Sequence, residues 1–185
     1  MNVWDQSMKI LYKVLLNILC ISCQDSVNNI NTELSERLKP FEPYIWKIFK
    51  GHFSSSTTEK PIYDISHWER ALNGNSIRIK HSVNNGEFGG ESIVMWDSHK
   101  ESLVSWYFTT AGFYTKSTLH SENGKLISLE DITGNDNGIT QLKTIIEILS
   151  DGKLLNSSKY FKNGNWVDGH EIDYKEVPDA EVIFR

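Results

Sequence analysis

The sequence predicts an all-β domain over residues 40–185. It reads as an antiparallel up-and-down meander of about ten strands closed into a barrel, preceded by a short N-terminal helix. Three observations carry this. The first is a series of two-residue turn signals: Asn73-Gly74, Asn85-Gly86, Asn123-Gly124, Asp151-Gly152 and Asn163-Gly164. Such pairs favour type I′ turns, whose twist matches paired strands, because both central residues must take positive φ. The second is spacing. With the breaks at Asp97-Ser98-His99-Lys100, Ala111-Gly112 and 134–138, punctuation recurs about every 10 to 15 residues, which leaves strands of about eight to ten residues. The third is period two. In residues 76–83, Ile77, Ile79, His81 and Val83 alternate with Arg78, Lys80 and Ser82.

Taken in order, residues 31–41 predict the helix. Asn31 or Thr32 can cap it, Leu34, Leu38 and Phe41 form its apolar stripe, and Pro40 and Pro43 stop it. Strands are expected at residues 46–53, 62–72, 76–83, 92–97, 103–110, 113–121, 125–133, 139–150, 154–162 and 166–177. Twist accumulates over so many neighbouring strands, and an open sheet would expose two edges, so closure is expected. A Greek-key sandwich is the alternative, but it needs longer connections than the two to five residues found at most breaks.

Ahead of the domain, residues 1–23 read as a leader and residues 24–39 as a polar tether and short helix. Lys9 and Lys13 precede a short apolar run, residues 14–21, and Ser22 precedes Cys23. The run is too short to span a bilayer and has the layout of a secretory signal. The alternative is an amphipathic helix packed on the domain, because Leu11, Val14, Leu15, Ile18 and Leu19 share a helical face. Cys20 and Cys23 are the only cysteines, so residues 40–185 contain no disulfide. The net charge of −5, with Lys and Arg scattered, argues against nucleic acid as a partner.

Two resemblances follow. The ending L-C-I-S-C, residues 19–23, resembles the lipobox of bacterial lipoproteins. It implies lipidation at Cys23, a membrane partner reached through that anchor, and a place in the bacterial cell envelope; the packed-helix alternative implies the cytoplasm. W-E-R-A-L-N-G-N-S-I-R-I, G-G-E-S-I-V-M-W-D, L-V-S-W-Y-F-T-T-A-G-F-Y and G-K-L-I-S-L, within Trp68 to Asp131, resemble an uncharacterised bacterial family of lipocalin-like (calycin) barrels. That resemblance implies a lipocalin-like barrel holding a small apolar or amphipathic molecule. The strand count also resembles nitrobindin-like haem barrels and fatty-acid-binding barrels.

The candidate ligand-binding residues are His81, Trp96, Trp106, Tyr107, Tyr114, Glu130, Tyr160 and His170. His170 shares strand parity with Trp166, Ile172 and Tyr174, and His81 with Ile77, Ile79 and Val83, so both are expected to face inward. The nitrobindin-like resemblance would make His170 a haem ligand; without it no cofactor is expected. A metal at His81 and His170 would need a third ligand, for which Glu91 and Glu130 are the carboxylates at hand. Arg78 falls on the outer parity; with the parity reversed it would meet a carboxylate inside the barrel. No nucleophile stands with a partner, and no G-x-S-x-G, phosphate loop or H-E-x-x-H occurs, which argues against an enzyme. Proton transfer by His170 or Glu130 is the enzymatic alternative, since it needs only a few converging residues.

Overall fold

The structure is a computed structural model that describes residues 33–132 and 138–185. The leader, the lipidation candidate Cys23, the tether up to Thr32 and most of the break at 134–138 lie outside the described residues. Ten antiparallel strands follow a 3-10 helix: β1 (Ile48–Phe53), β2 (Tyr63–Ala71), β3 (Ser76–Val83), β4 (Phe88–Asp97), β5 (Ser102–Thr109), β6 (Tyr114–Glu122), β7 (Lys125–Asp131), β8 (Ile139–Ile148), β9 (Leu154–Lys162) and β10 (Asn165–Glu176). Each strand pairs with its neighbour in sequence, and β1 pairs with β10 from Phe49↔Glu176 to Phe53↔Ile172, which closes the barrel. The sandwich alternative is thereby excluded.

The helix differs from its expectation. It spans Glu36–Tyr44 and runs through both prolines that were to end it. Proline fixes φ near −65°, which suits a 3-10 turn, and its missing N–H costs one local bond in a segment that has few. Ser35 precedes the helix without a side-chain cap; its backbone N–H donates to Gly74 O at 2.9 Å, which ties the segment to the β2–β3 turn. Leu38, Phe41 and Tyr44 are buried and plug one end of the barrel. Tyr44 stacks on Trp68 with ring centroids 4.9 Å apart. Phe49, Ile77, Val94, Leu103, Leu126 and Leu154 complete this apolar floor. Each such side chain contributes roughly 1.5–3 kcal/mol on burial.

The turns vary more than their dipeptides suggest. Asn123-Gly124 and Asn163-Gly164 are two-residue loops with positive φ at both positions. At Asp151-Gly152 only the glycine has positive φ, and Leu149 and Lys153 close a longer loop through Leu149 N–H to Lys153 O at 2.8 Å. Two strand limits also move. Trp46, expected in the first strand, is 67% exposed with φ of 62°. β4 begins at Phe88 instead of residue 92, because Gly89 and Gly90 pair with Ser82 and His81. The C-terminal segment lies on the outside of β3: Ile183 N–H donates to Ser82 Oγ at 3.1 Å, and Ser82 and Ile65, both outward-facing, are buried.

Candidate functional site

Away from the plugged end, the barrel interior holds a cavity of about 470 Å³. Its size follows from side-chain volume. Ser105 on β5, Ser117 on β6, Ser128 on β7 and Thr144 on β8 all face inward, with Ser105 opposite Ser117 and Ser128 opposite Thr144. Small side chains at facing positions leave the space empty. Ile79, Val83, Leu119, Leu142, Ile146 and Ile172 supply apolar wall.

A hydrogen-bonded chain crosses one side of this cavity. Tyr174 Oη–H donates to Asp64 Oδ2 at 2.8 Å. His81 Nδ1 lies 2.7 Å from Asp64 Oδ1, and His81 Nε2 lies 2.6 Å from Tyr107 Oη. The carboxylate assigns the proton to Nδ1. In the neutral imidazole Nε2 then accepts from the Tyr107 hydroxyl, which leaves the lone pairs of that oxygen for the cavity. Asp64 is 1% exposed, a depth at which a carboxylate requires such partners. Burial, followed by the negative charges of Asp64 and Glu130, pushes the Tyr107 phenol above its ordinary value. Burial and Asp64 do the same to Tyr174. Both phenols therefore remain protonated at neutral pH.

Two glycines make this chain possible. Asp64 and Tyr174 flank Gly51 on either side in register. Strands one removed from each other lie about 9–10 Å apart, too far for two side chains to meet unless the strand between them is bare. A Cβ at Gly51 would sit 2.6 Å from Tyr174 Cδ1. Gly90 has the same role between β3 and β5: it pairs with His81, and a Cβ there would sit 2.5 Å from Tyr107 Cε2. Each glycine lets a tyrosine lie across its strand to reach an acidic or imidazole partner on the next.

A second pair lies on β9 and β10. Tyr160 Oη lies 2.8 Å from His170 Nδ1, and Ser158 Oγ donates to the His170 carbonyl at 2.8 Å. A one-residue bulge in β10 between Asp168 and Glu171 turns His170 inward beside Ile172 and Tyr174. Burial is the main influence on His170 and lowers its pKa against the pull of Asp64. Glu130 of β7 lines the cavity two strands from Tyr160, on the other side of Leu142 of β8. Burial raises its pKa, with the neighbouring Thr115 hydroxyl pulling the other way. Among the described residues Glu130 has no ion-pair partner.

The structure therefore brings together His81, Tyr107, Glu130, Tyr160 and His170 of the eight candidate residues. The other three are placed elsewhere. Trp106 and Tyr114 have outward parity, since Ser105, Tyr107 and Ser117 face in; Tyr114 is 60% exposed and its ring packs against Phe108. Trp96 faces inward, but at the plugged end, with the Arg37 guanidinium 4.5 Å over its ring. Trp166 also leaves the His170 face: the bulge reverses parity, and Trp166 pairs opposite Phe161 and packs on it. Glu91 is no ligand partner for the histidines, because it faces outward and forms a bidentate pair with Arg78 at 2.7 and 2.8 Å. Arg78 is thus on the outer surface. Among the described residues no three His, Cys, Asp or Glu side chains converge to hold a metal.

Asp64, Tyr174 and the inward serines were missed. A signal existed for the first: in β2, Asp64 and Ser66 share parity with Trp68, so polar residues fall on the face of a large apolar one. The closed barrel is consistent with the lipocalin-like architecture. No protein-family model matches this chain, and no curated protein matches it either, so the narrower family resemblance rests on the quoted stretches alone.

Proposed function

We propose that the protein is a binding module that holds a small amphipathic molecule inside its barrel. The carrying observation is the cavity of about 470 Å³, whose wall is aliphatic but includes a connected polar side. Volumes of roughly 300–1,000 Å³ with a few converging polar groups are usual for small-molecule sites. The aliphatic wall would bury the apolar part of the ligand, and the Tyr107–His81–Asp64 chain and Glu130 would orient its polar end. The lipobox-like ending at Cys23 supports an envelope location through a lipid anchor, which radioactive palmitate labelling of wild type and Cys23→Ser tests.

The cavity itself is tested with N-phenyl-1-naphthylamine, a neutral apolar fluorophore whose emission rises on leaving water. Saturable enhancement that Ser117→Leu abolishes is the expected result. Enhancement that survives Ser117→Leu would place the dye on the surface and overturn the reading.

A further inference from the structure

We propose that the cavity selects a ligand bearing an organic ammonium group, and that Glu130 is its counter-ion. This rests on the binding reading above and names the ligand class. Fatty-acid carriers need a cation inside the barrel to meet a carboxylate. Among the described residues no Lys or Arg lines the cavity: Arg78 is held outside by Glu91 and Glu69. Among the described residues, the two of formal charge on the wall are both acidic, Asp64 and Glu130.

Their situations differ. The Asp64 carboxylate is already engaged by His81 and Tyr174. Glu130 lines the cavity with no ion pair among the described residues, so its charge is the one left to be met. The remaining polar atoms reinforce the sign. With His81 neutral, the Tyr107 hydroxyl donates to Nε2 and its oxygen offers acceptor lone pairs. Asn156, also on the wall, keeps a buried Oδ1 that no donor reaches. A cavity whose formally charged wall groups are acidic, with no cation to offset them, disfavours a carboxylate. It receives an ammonium, which brings up to three donors and a compensating charge.

Binding is then coupled to protons. Tyr107 of β5, Thr115 and Ser117 of β6, and Leu142 and Thr144 of β8 surround Glu130, with Tyr160 of β9 beyond Leu142; Asp64, His81, His170 and Tyr174 are the titratable groups elsewhere on the cavity wall. None of the near neighbours is cationic. An ammonium stabilises the Glu130 carboxylate against the desolvation that otherwise favours its acid form, so binding releases a proton where that acid form is populated.

The test uses three probes of equal chain length: 1-octanol, octylammonium and octanoate, titrated calorimetrically into the wild-type protein and Glu130→Gln. Octanol binding reports the cavity alone. The expected result is octylammonium about tenfold tighter than octanol, as one charge-assisted hydrogen bond supplies, and octanoate weaker than both. Glu130→Gln brings octylammonium to within about twofold of octanol. In wild type, the heat of octylammonium binding at mildly acidic pH varies with the ionisation enthalpy of the buffer, in the sense of proton release. This second readout stands even if the variant does not fold. If none of the three binds, the cavity reading fails. If octanol binds and octanoate matches or exceeds octylammonium, the cavity reading stands and the ammonium inference is overturned. If octylammonium is preferred but Glu130→Gln leaves the preference intact, the assignment to Glu130 is overturned.

Discussion

The two ends of the barrel are built from the same ten strands and solve opposite problems. At the plugged end Leu38, Phe41, Tyr44, Trp68, Ile77 and Leu154 fill the interior with large apolar side chains. At the cavity end, serines and a threonine stand at the equivalent inward positions, and the large residues that remain are tyrosines and histidines held by hydrogen bonds. One end is stabilised by burial of hydrocarbon, which needs volume but little direction. The other is stabilised by satisfied polar groups, which need direction and leave volume unused. Stability therefore belongs mainly to the plug, and selectivity to the cavity.

Several substitutions would break or sharpen that contrast. The largest effect is expected at the plug. Phe41→Ala removes a fully buried ring and should cost about 3–5 kcal/mol in urea denaturation, while octanol affinity in the surviving native protein stays within about twofold. A similar loss of affinity would show that the two ends are not separable.

Next comes Gly51→Ala. The added Cβ would overlap the Tyr174 ring and Ile172 Cγ2, so Tyr174 must withdraw from Asp64. A cost of roughly 1–3 kcal/mol is expected, with part of it recovered in Gly51→Ala/Tyr174→Phe, which no longer needs the hydroxyl bond. Absence of that coupling in the double-mutant cycle would mean that Gly51 serves strand packing alone.

Ser117→Leu sharpens the comparison from the other side. Enlarging an inward residue of the plug would overpack it, whereas here the side chain enters empty space. Stability should be unchanged or rise by up to about 2 kcal/mol, and dye binding should vanish.

The smallest effects are in pH dependence. Burial raises the Glu130 pKa, so its contribution to stability is full below the ordinary carboxylate range. That contribution is lost as pH rises through the raised native value. The His170 pKa is lowered by burial, so its contribution is full above the ordinary imidazole value and is lost as pH falls through the lowered one. Denaturation free energies measured across pH should show Glu130→Gln losing the first slope and His170→Gln the second.

Much of the barrel was legible beforehand because its signals are local. A type I′ turn at Asn123-Gly124 needs only the two residues that form it, and the alternation of Ile77, Ile79, His81 and Val83 needs only one strand. The inward placement of His81 followed from that parity, whereas Tyr107 was named alongside its outward-facing neighbour Trp106 with no parity to separate them. The helix was misjudged because proline was weighed as an α-helix breaker, whereas a 3-10 segment tolerates it. Trp166 was misplaced because a bulge at residues 168–171 shifts parity by one residue, and no local sequence rule marks it beyond Gly169.

The sequence by itself determined the strand count, the order of hairpins and the face on which most side chains fall. These depend on interactions within about a dozen residues. Only the tertiary structure decided that Tyr174 reaches Asp64 across Gly51, that Tyr107 reaches His81 across Gly90, and that Glu130 lines a cavity without an ion-pair partner among the described residues. Those contacts join residues as far as 110 positions apart, and they exist because closing the barrel fixes the register of strands that no turn connects.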